Sequence, residues 1–285
     1  MDSKIKKIVE LCGFTADPYW KEFEKIFSKI TFEEYNQILQ NKDMLILDKI
    51  NNTAAQKITS SDQFYKQITI DEKTSAITMN TPILVTAPIS IPEYCIHIHA
   101  PIYLGEGSSL TNTKIYDTTW IEPHAKIEHS VIQPGNGHSF IGSNTIVSNV
   151  HELKGTFISG GPLRKEGRSQ IYMHAFASIN MLIGAYSAPS IGLVTYNHPL
   201  GSDLSIVIDP ETFKPHEFPQ DSRYRKLATL LGYEAELGAN VLLNSGTVIG
   251  AKSIIPSGLQ IDGLVYRVQE ESRYFPAREA KQLKP

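Results

Sequence analysis

Cysteine is nearly missing from this chain of 285 residues, which contains only Cys12 and Cys95. Two cysteines cannot form the disulfide framework of a small secreted protein, so a reducing compartment fits, and we expect the protein in the cytoplasm. The sequence also lacks a run of about 18 apolar residues, the length that crosses a bilayer. Its start, MDSKIKKIVELCGF, becomes charged again too soon for a signal peptide. No membrane association is expected.

An excess of basic residues is missing as well. Lysine and arginine total 27 against 30 aspartates and glutamates, which gives a net charge of -3. Proteins that bind nucleic acid usually carry a basic surplus, so this partner is not expected. Apolar residues make up 41% of the chain and charged residues 20%, as in an ordinary globular protein.

The N-terminal segment has a helical pattern. Trp20, Phe23, Ile26, Phe27 and Ile30 recur at spacings of three and four, which predicts an amphipathic helix.

Two local signals predict where helices begin. Asp17 followed by Pro18 is typical of an N-cap with proline in the first helical position. Thr31 and Glu34 have the spacing of a capping box that opens a second helix. The polar segment 51–63 is predicted to be a linker.

Beyond about residue 80 the helical spacing gives way to a six-residue repeat. In LLGYEAELGANVLLNSGTVIGAKSII (230–255) every sixth residue is aliphatic, and a small or β-branched residue follows four positions later. In this stretch the aliphatic positions are Leu231, Leu237, Leu243, Ile249 and Ile255. The same spacing relates Ile115, Ile121 and Ile127.

This period predicts an all-β solenoid, a parallel β-helix in which three hexapeptides form one triangular coil of about 18 residues. The aliphatic residues are expected to stack in columns inside it. The repeat is interrupted near 160–170, which is basic and glycine-rich, and near 197–226, which contains four prolines. Both interruptions are predicted to be loops. The predicted division of the chain is an N-terminal helical segment with linker (1–60), a β-helix domain (80–265) and a C-terminal tail (266–285).

The open end of a solenoid exposes strand edges and column residues, so it must be covered. We expect the helix that contains Trp20, Phe23 and Phe27 to pack against that end.

Three segments resemble the hexapeptide-repeat transferases, in particular the acetyltransferase domain of N-acetylglucosamine-1-phosphate uridyltransferase and its pyrophosphorylase-related relatives. They are SNTIVSNVHELKGTFI (143–158), HAFASINMLIGAYSAPSIGLVTYN (174–197) and RKLATLLGYEAELGANVLLNSGTVIG (225–250). The resemblance spans roughly residues 80–265. It implies a left-handed β-helix and a homotrimer that binds acetyl-CoA between neighbouring subunits. The family's nucleotidyltransferase domain, with its phosphate loop, has no counterpart in the sequence.

The resemblance also implies roles for individual residues. His174 matches the general base that takes a proton from the acceptor, a task suited to a neutral imidazole. Lys154 matches a lysine that helps to hold a phosphate, and Asn197 matches an asparagine of the substrate site. Gly192 and Thr195 are expected to border the acetyl-CoA site.

Other residues support or depart from this pattern. Arg164 and Arg168 in the basic interruption are candidates to bind a phosphate of the substrate or of coenzyme A. Ala177 and Ala188 stand where the family has a tyrosine and an asparagine that touch the sugar.

Several histidines keep alternative interpretations. His174 lies in an apolar stretch, which also fits a buried or interface histidine, and His198 is a second candidate base. His97 and His99 share one face of a predicted strand, but no third ligand is near in sequence, so no metal site is predicted.

The sequence therefore favours an acetyltransferase that uses acetyl-CoA on an amino-sugar phosphate or a nucleotide sugar. One alternative is a non-catalytic trimeric scaffold or sugar-nucleotide binding protein that has lost part of the sugar pocket. A sugar-phosphate nucleotidyltransferase is the weaker alternative, because the phosphate loop is missing.

Overall fold

The fold is seen in a computed structural model. It describes residues 1–99, 101–134, 137–163, 172–173, 175–189, 191–195, 205–218, 227–268 and 271–276. Most described strands belong to long, largely parallel sheets, in which hydrogen-bonded neighbours come from successive coils. The predicted fold is confirmed: the protein is a left-handed parallel β-helix with a small N-terminal helical segment.

Helices are concentrated in the N-terminal segment. The described α-helices are α1 (Ser3–Leu11), α2 (Trp20–Phe27), α3 (Ile38–Asn52) and α4 (Ser61–Tyr65), and the 3₁₀ turns are Phe14–Ala16, Phe32–Gln37 and Pro92–Tyr94. Within the described chain, no helix is both long enough and apolar enough to cross a membrane.

The strands are short and follow one another closely. Before the regular coils they are β1 (Gln56–Ile58), β2 (Ile68–Asp71), β3 (Ala76–Met79), β4 (Ile83–Val85), β5 (Ile89–Ile91) and β6 (Ile96–Ile98). The first coils contain β7 (Ile102–Leu104), β8 (Ser109–Thr111), β9 (Lys114–Ile115), β10 (Thr119–Ile121), β11 (Lys126–Glu128), β12 (Val131–Ile132), β13 (Ser139–Ile141), β14 (Ile146–Ser148) and β15 (Glu152–Lys154). Next come β16 (Phe157–Ile158), β17 (Tyr172–Met173), β18 (Ala175–Ile179), β19 (Met181–Ile183), β20 (Leu193–Thr195), β21 (Ser205–Ile208) and β22 (Pro215–Phe218). The last are β23 (Thr229–Leu231), β24 (Glu236–Leu237), β25 (Leu242–Leu243), β26 (Val248–Ile249), β27 (Ile254–Ile255), β28 (Gln260–Ile261), β29 (Gly263–Val268) and β30 (Glu271–Pro276).

The described strands form the three sides of the solenoid. Face A has the order β1-β4-β7-β10-β13-β16-β19-β23-β26-β29-β30. Face B consists of β17-β14-β11-β8-β3-β2 and, further along, of the pair β24-β27. Face C has the order β28-β25-β20-β18-β15-β12-β9-β6-β5.

The hexapeptide residues form the columns that the sequence predicts. Ile121 of β10 is in register with Leu104 of β7 and with Ile141 of β13, and all three side chains are buried. The five aliphatic positions of the stretch 230–255 belong to the same interior cluster. Each column residue therefore packs on its counterparts in the coils on either side.

A second apolar cluster lies on the outside of face A. In successive coils, the residue before the inward column residue is also apolar and lies in this cluster or packs against it. These residues are Tyr103, Trp120, Phe140, Phe157, Leu182, Leu230, Val248 and Leu264. The Phe157 ring stacks on Phe140 at 4.4 Å between centroids and contacts Phe23 of α2 at 5.1 Å.

The N-terminal helices cover face A along its length. The expectation that they cap the end of the solenoid is wrong. The physical reason is the outward apolar row, which would otherwise be exposed to water.

Other elements close the N-terminal end. The side chain of Phe64 on α4 is fully buried in the interior cluster together with Ile58 and Met79. In addition, β3, β4 and β5 pair antiparallel with β8, β7 and β6, which ends the parallel stacking. The predicted linker 51–63 thus contains β1 and the start of α4, because Ile58 belongs to the core that α4 completes.

The C-terminal end is closed by the antiparallel pair of β29 and β30. From β30, Ser272 Oγ accepts a hydrogen bond from the Ile254 N–H, and Tyr274 Oη accepts one from the Asp262 N–H. Backbone donors of the last coil are therefore satisfied by side chains. The boundary predicted at residue 265 falls inside β29.

The interruption 197–226 contains a described hairpin. Its strands β21 and β22 pair antiparallel, and Phe218 packs near Phe32 and Tyr35 of the helical layer. Asp209 also forms an ion pair with Lys4 of α1 at 2.6 Å. This hairpin and the helices therefore form one layer over face A.

The two helix-start signals have different outcomes. Thr31 and Glu34 form the predicted capping box, which opens the 3₁₀ turn that leads into α3. The prediction for Asp17 is wrong, because α2 begins at Trp20 after Tyr19 as its N-cap. The Asp17 carboxylate instead accepts hydrogen bonds from Ser159 Oγ and the Ala185 N–H of the β-helix.

A fully buried lysine joins α3 to a corner of the solenoid. Lys42 Nζ donates to Asp43 Oδ1 and to the His138 carbonyl, each at 2.5 Å. Asp43 Oδ1 also accepts from the His138 N–H at 2.8 Å. Burial lowers the pKa of the Lys42 ammonium, whereas the Asp43 carboxylate acts in the opposite direction. At the same corner Gly137 has φ +93°, and a Cβ there would lie 2.2 Å from Asp43 Oδ2.

Replacing Lys42 with methionine should lower the free energy of unfolding by about 2 kcal/mol, since it leaves the His138 carbonyl without its donor and Asp43 without its counter-charge. The measurement is urea denaturation of the variant and the wild type. The matched control is Lys29→Met at an exposed lysine, where a change below about 0.5 kcal/mol is expected. Equal effects of the two variants would contradict a structural role for Lys42.

Candidate functional site

Lys154 and Glu152 lie on the outward side of β15, at the centre of face C. They flank the buried Leu153, because alternate residues of a strand point to the same side. Lys154 Nζ forms an ion pair with Glu152 Oε1, and the two side chains are 20% and 29% exposed. Lys154, the predicted phosphate ligand, is therefore accessible to solvent, but Glu152 partly neutralises its charge.

The neighbouring strand β18 brings the matched segment 174–197 beside this pair. Glu152 is in register with Ala177, and Lys154 with Ile179. Ala177 is buried and places only a methyl group beside Glu152. The strand next to the candidate phosphate ligand thus presents small and apolar side chains.

Thr195 connects β20 to β18. Its buried hydroxyl accepts a hydrogen bond from the Ile179 N–H at 2.6 Å and donates one to the Ile179 carbonyl at 3.1 Å. Both bonds fix the backbone of Ile179, the residue in register with Lys154. Thr195 therefore supports the strand beside the candidate site whatever else it contacts.

Gly192 is required by the backbone of its turn. Its φ is +76°, and a Cβ at this position would lie 2.1 Å from Asn240 Oδ1 of the following coil. Any other residue would combine a left-handed backbone with a clash. This requirement accounts for the glycine independently of coenzyme binding.

The other predicted site residues lie outside the described residues: His174, Asn197, Arg164, Arg168 and the second candidate base His198. The flanks of His174 are described, since β17 pairs with β14 on face B and β18 pairs with β15 on face C. Ala188, at the second departure from the family, is exposed and forms a bridge with Glu236.

His97 on β6 and His99, which follows this strand, have different contact partners. His97 Nδ1 lies 3.0 Å from Ser90 Oγ, and the His99 ring packs on Tyr116 with centroids 4.8 Å apart. Across the described chain, no group of three His, Cys, Asp or Glu side chains is close enough together to hold a metal ion.

The residue that sequence reasoning missed is Glu152. The signal was available in the segment HELK, because residues two apart on a predicted strand share one face. Glu152 and Lys154 could therefore have been paired before the structure was known.

No family model matches the chain, and no curated protein sequence is similar to it. A solved structure that is similar is the crystal structure of the polySia specific acetyltransferase NeuO. The two chains are 12% identical, with a TM-score of 0.38, and the match covers 61% of this chain and 83% of NeuO.

Proposed function

We propose that the protein transfers an acetyl group from acetyl-CoA to an amino-sugar phosphate or a nucleotide sugar. The main support is the position of Lys154, a partly exposed cation on a regular strand in the middle of face C. A lysine held in this way can bind a phosphate oxygen of an acceptor. Asn197 is the second proposed acceptor ligand, and Arg164 and Arg168 are proposed to bind phosphate groups.

The proposed chemistry needs a base. His174 takes a proton from the acceptor amine or hydroxyl as that atom attacks the thioester carbonyl. The new C–N or C–O bond forms, the C–S bond breaks, and coenzyme A leaves as its thiol. Gly192 and Thr195 are proposed to lie beside the bound coenzyme.

The assembly that goes with this proposal is a cytoplasmic homotrimer with its acetyl-CoA sites between subunits. The helical layer buries the outside of face A, so this surface is not available for the contact between subunits. Light scattering tests this part: a mass of three chains is expected, and a monomer at micromolar concentration would remove the proposed intersubunit site.

The proposed activity predicts separate effects of two substitutions. Lys154→Met should raise the KM for a phosphorylated acceptor by about tenfold and change kcat little, because it removes a binding contact. His174→Ala should lower kcat by about 10²-fold or more, because it removes proton transfer. Release of coenzyme A in the presence of glucosamine 1-phosphate or a UDP-amino sugar is the assay.

The matched control for Lys154→Met is Lys126→Met, which removes an exposed lysine from β11 on face B. The control should keep wild-type kinetics. Acetyl-CoA should also raise the melting temperature, because a ligand that binds only the folded state stabilises it. The absence of any shift at concentrations far above ~1 mM would rule out the enzyme, and full turnover by His174→Ala would rule out the proposed base.

A specific observation favours a second candidate, a sugar-nucleotide binding protein without catalysis. Ala177 and Ala188 replace the two family residues that touch the sugar, and Lys154 is already paired with Glu152. In this case UDP-sugars should raise the melting temperature while acetyl-CoA does not. A sugar-phosphate nucleotidyltransferase is the weaker alternative, and release of pyrophosphate from UTP and a sugar 1-phosphate would reveal it.

A further inference from the structure

A second group of polar and aromatic side chains lies on face C and at its corner with face B, nearer to the N-terminal end than Lys154. It consists of His97, His99, Lys114, Tyr116 and His129, and we call it the Lys114 patch. None of these residues belongs to the proposed acetyl-transfer site. All five are partly or fully exposed, and Tyr116 is 38% exposed.

The pairing of the strands holds the Lys114 patch together. His97 of β6 is in register with Lys114 of β9, so their side chains are neighbours on the outside of the sheet. In the same two coils, His99 and Tyr116 each follow an inward column residue, and their rings lie 4.8 Å apart at 36°. A cation and an exposed aromatic pair are thus presented side by side on regular strands.

Lys114 and His129 are exposed side chains of the Lys114 patch that can donate hydrogen bonds to a ligand. Within the described part of the chain, Lys114 has no ion-pair partner. His129 Nδ1 lies 3.2 Å from Asn112 Nδ2, and with the amide as the donor of this contact the ring proton is on Nε2.

Lys114 is the charged residue of this part of face C, and Glu128, which precedes His129, lies on face B. Two rows of outward side chains run along face C, one through Lys114 and the other through Tyr116. Toward the C-terminus the next residues in these rows are Val131 and Gln133, which are uncharged. The first carboxylate in these rows is that of Glu152, which Lys154 neutralises. Charge complementarity therefore favours an acidic ligand.

We propose that the Lys114 patch binds an acidic oligosaccharide. The Tyr116 side chain, which is 38% exposed, offers an aromatic ring to the apolar C–H face of a pyranose, and Lys114 and His129 supply donors for a carboxylate or sulfate oxygen. This binding site does not depend on the acetyl-transfer reaction.

The test is calorimetric titration with a hyaluronan tetrasaccharide, whose carboxylates alternate with N-acetylglucosamine, and with neutral chitotetraose. Saturable binding of the hyaluronan fragment is expected. Lys114→Met should weaken it by about tenfold and leave the weaker binding of chitotetraose unchanged. Tyr116→Leu, which keeps an apolar side chain but removes the ring, should weaken the binding of both saccharides.

The matched control is again Lys126→Met on face B, which should bind both sugars as the wild type does. Failure of the wild type to bind the hyaluronan fragment, or equal losses in Lys114→Met and Lys126→Met, would overturn the proposal. Competition by inorganic phosphate as effective as that by the tetrasaccharide would show a simple anion site instead. A change in molecular mass of either patch variant in light scattering would assign the face to a second copy of the chain.

Discussion

Replacing Phe157 with alanine should lower the free energy of unfolding by about 4 kcal/mol, the loss typical of a buried phenylalanine. Phe157 is fully buried between the stacked ring of Phe140 and the tilted ring of Phe23. The substitution removes both ring contacts and leaves a cavity between face A and α2. Because the surrounding coils are fixed by backbone pairing, the cavity cannot collapse easily.

Urea denaturation measures this loss, and limited proteolysis of the N-terminal segment shows whether the helical layer is released first. The control is Ile254→Ala, which removes an apolar side chain that is 54% exposed on face B. Its expected effect is below about 1 kcal/mol. If Phe157→Ala cost no more than Ile254→Ala, the helices would not pack on face A as described.

The hexapeptide spacing predicts the interior of the β-helix well, since each column residue repeats every six positions. It does not by itself predict the helical layer. The signal for that layer was present one residue earlier: Trp120, Phe140 and Phe157 each precede a column residue in one hexapeptide of their coil. An apolar residue at this outward position in every third hexapeptide indicates that one of the three sides is covered.

The two ends of the solenoid could not be predicted in the same way. At the N-terminal end Phe64, which follows a polar stretch that is typical of a linker, joins the interior cluster, and antiparallel strands end the stacking. At the C-terminal end, Ser272 and Tyr274 satisfy backbone donors of the last coil. Each of these contacts occurs once in the chain and is not part of the six-residue repeat, so the repeat does not predict it.

In the candidate site, too, the repeat predicts the positions of some residues and not of others. The pairing of Lys154 with Glu152 follows from strand alternation, and the register with Ala177 follows from coil stacking. By contrast, Asn197, Arg164 and Arg168 lie where the hexapeptide repeat is interrupted. Where the spacing ends, the sequence provides no register from which a position could be derived, and these roles stay predictions.

Asp17→Ala should lower the free energy of unfolding by about 3 kcal/mol, because it leaves three hydrogen-bond donors without their acceptor. Asp17 Oδ1 accepts from Ser159 Oγ at 2.5 Å and from the Tyr19 N–H at 2.8 Å, and Oδ2 accepts from the Ala185 N–H at 2.6 Å. The carboxylate thereby joins the start of α2 to two coils of the β-helix. The exposed Asp62 offers a control, and Asp62→Ala should cost less than about 1 kcal/mol.

The same carboxylate gives stability a distinct pH dependence. Burial raises the pKa of Asp17, and the hydrogen bond from Ser159 offsets this in part. The folded state therefore binds the proton more tightly than the unfolded state, whose pKa is about 3.9. The additional stability that comes from protonation of Asp17 is fully present below about pH 3.9 and is lost as the pH rises through the raised pKa of the folded state.

The variant Asp17→Asn isolates the contribution of Asp17 to the pH dependence of stability. Its free energy of unfolding, measured between about pH 3 and pH 7, should lack the decline with rising pH that Asp17 contributes in the wild type. Asp71 supplies a control of opposite sign, because a hydrogen bond from Thr74 lowers its pKa. The contribution of Asp71 is present above the pKa of the unfolded state and is lost as the pH falls through the lowered value, so Asp71→Asn should remove a rise with pH. Identical pH profiles of Asp17→Asn and the wild type would mean that the carboxylate is not buried between α2 and the coils.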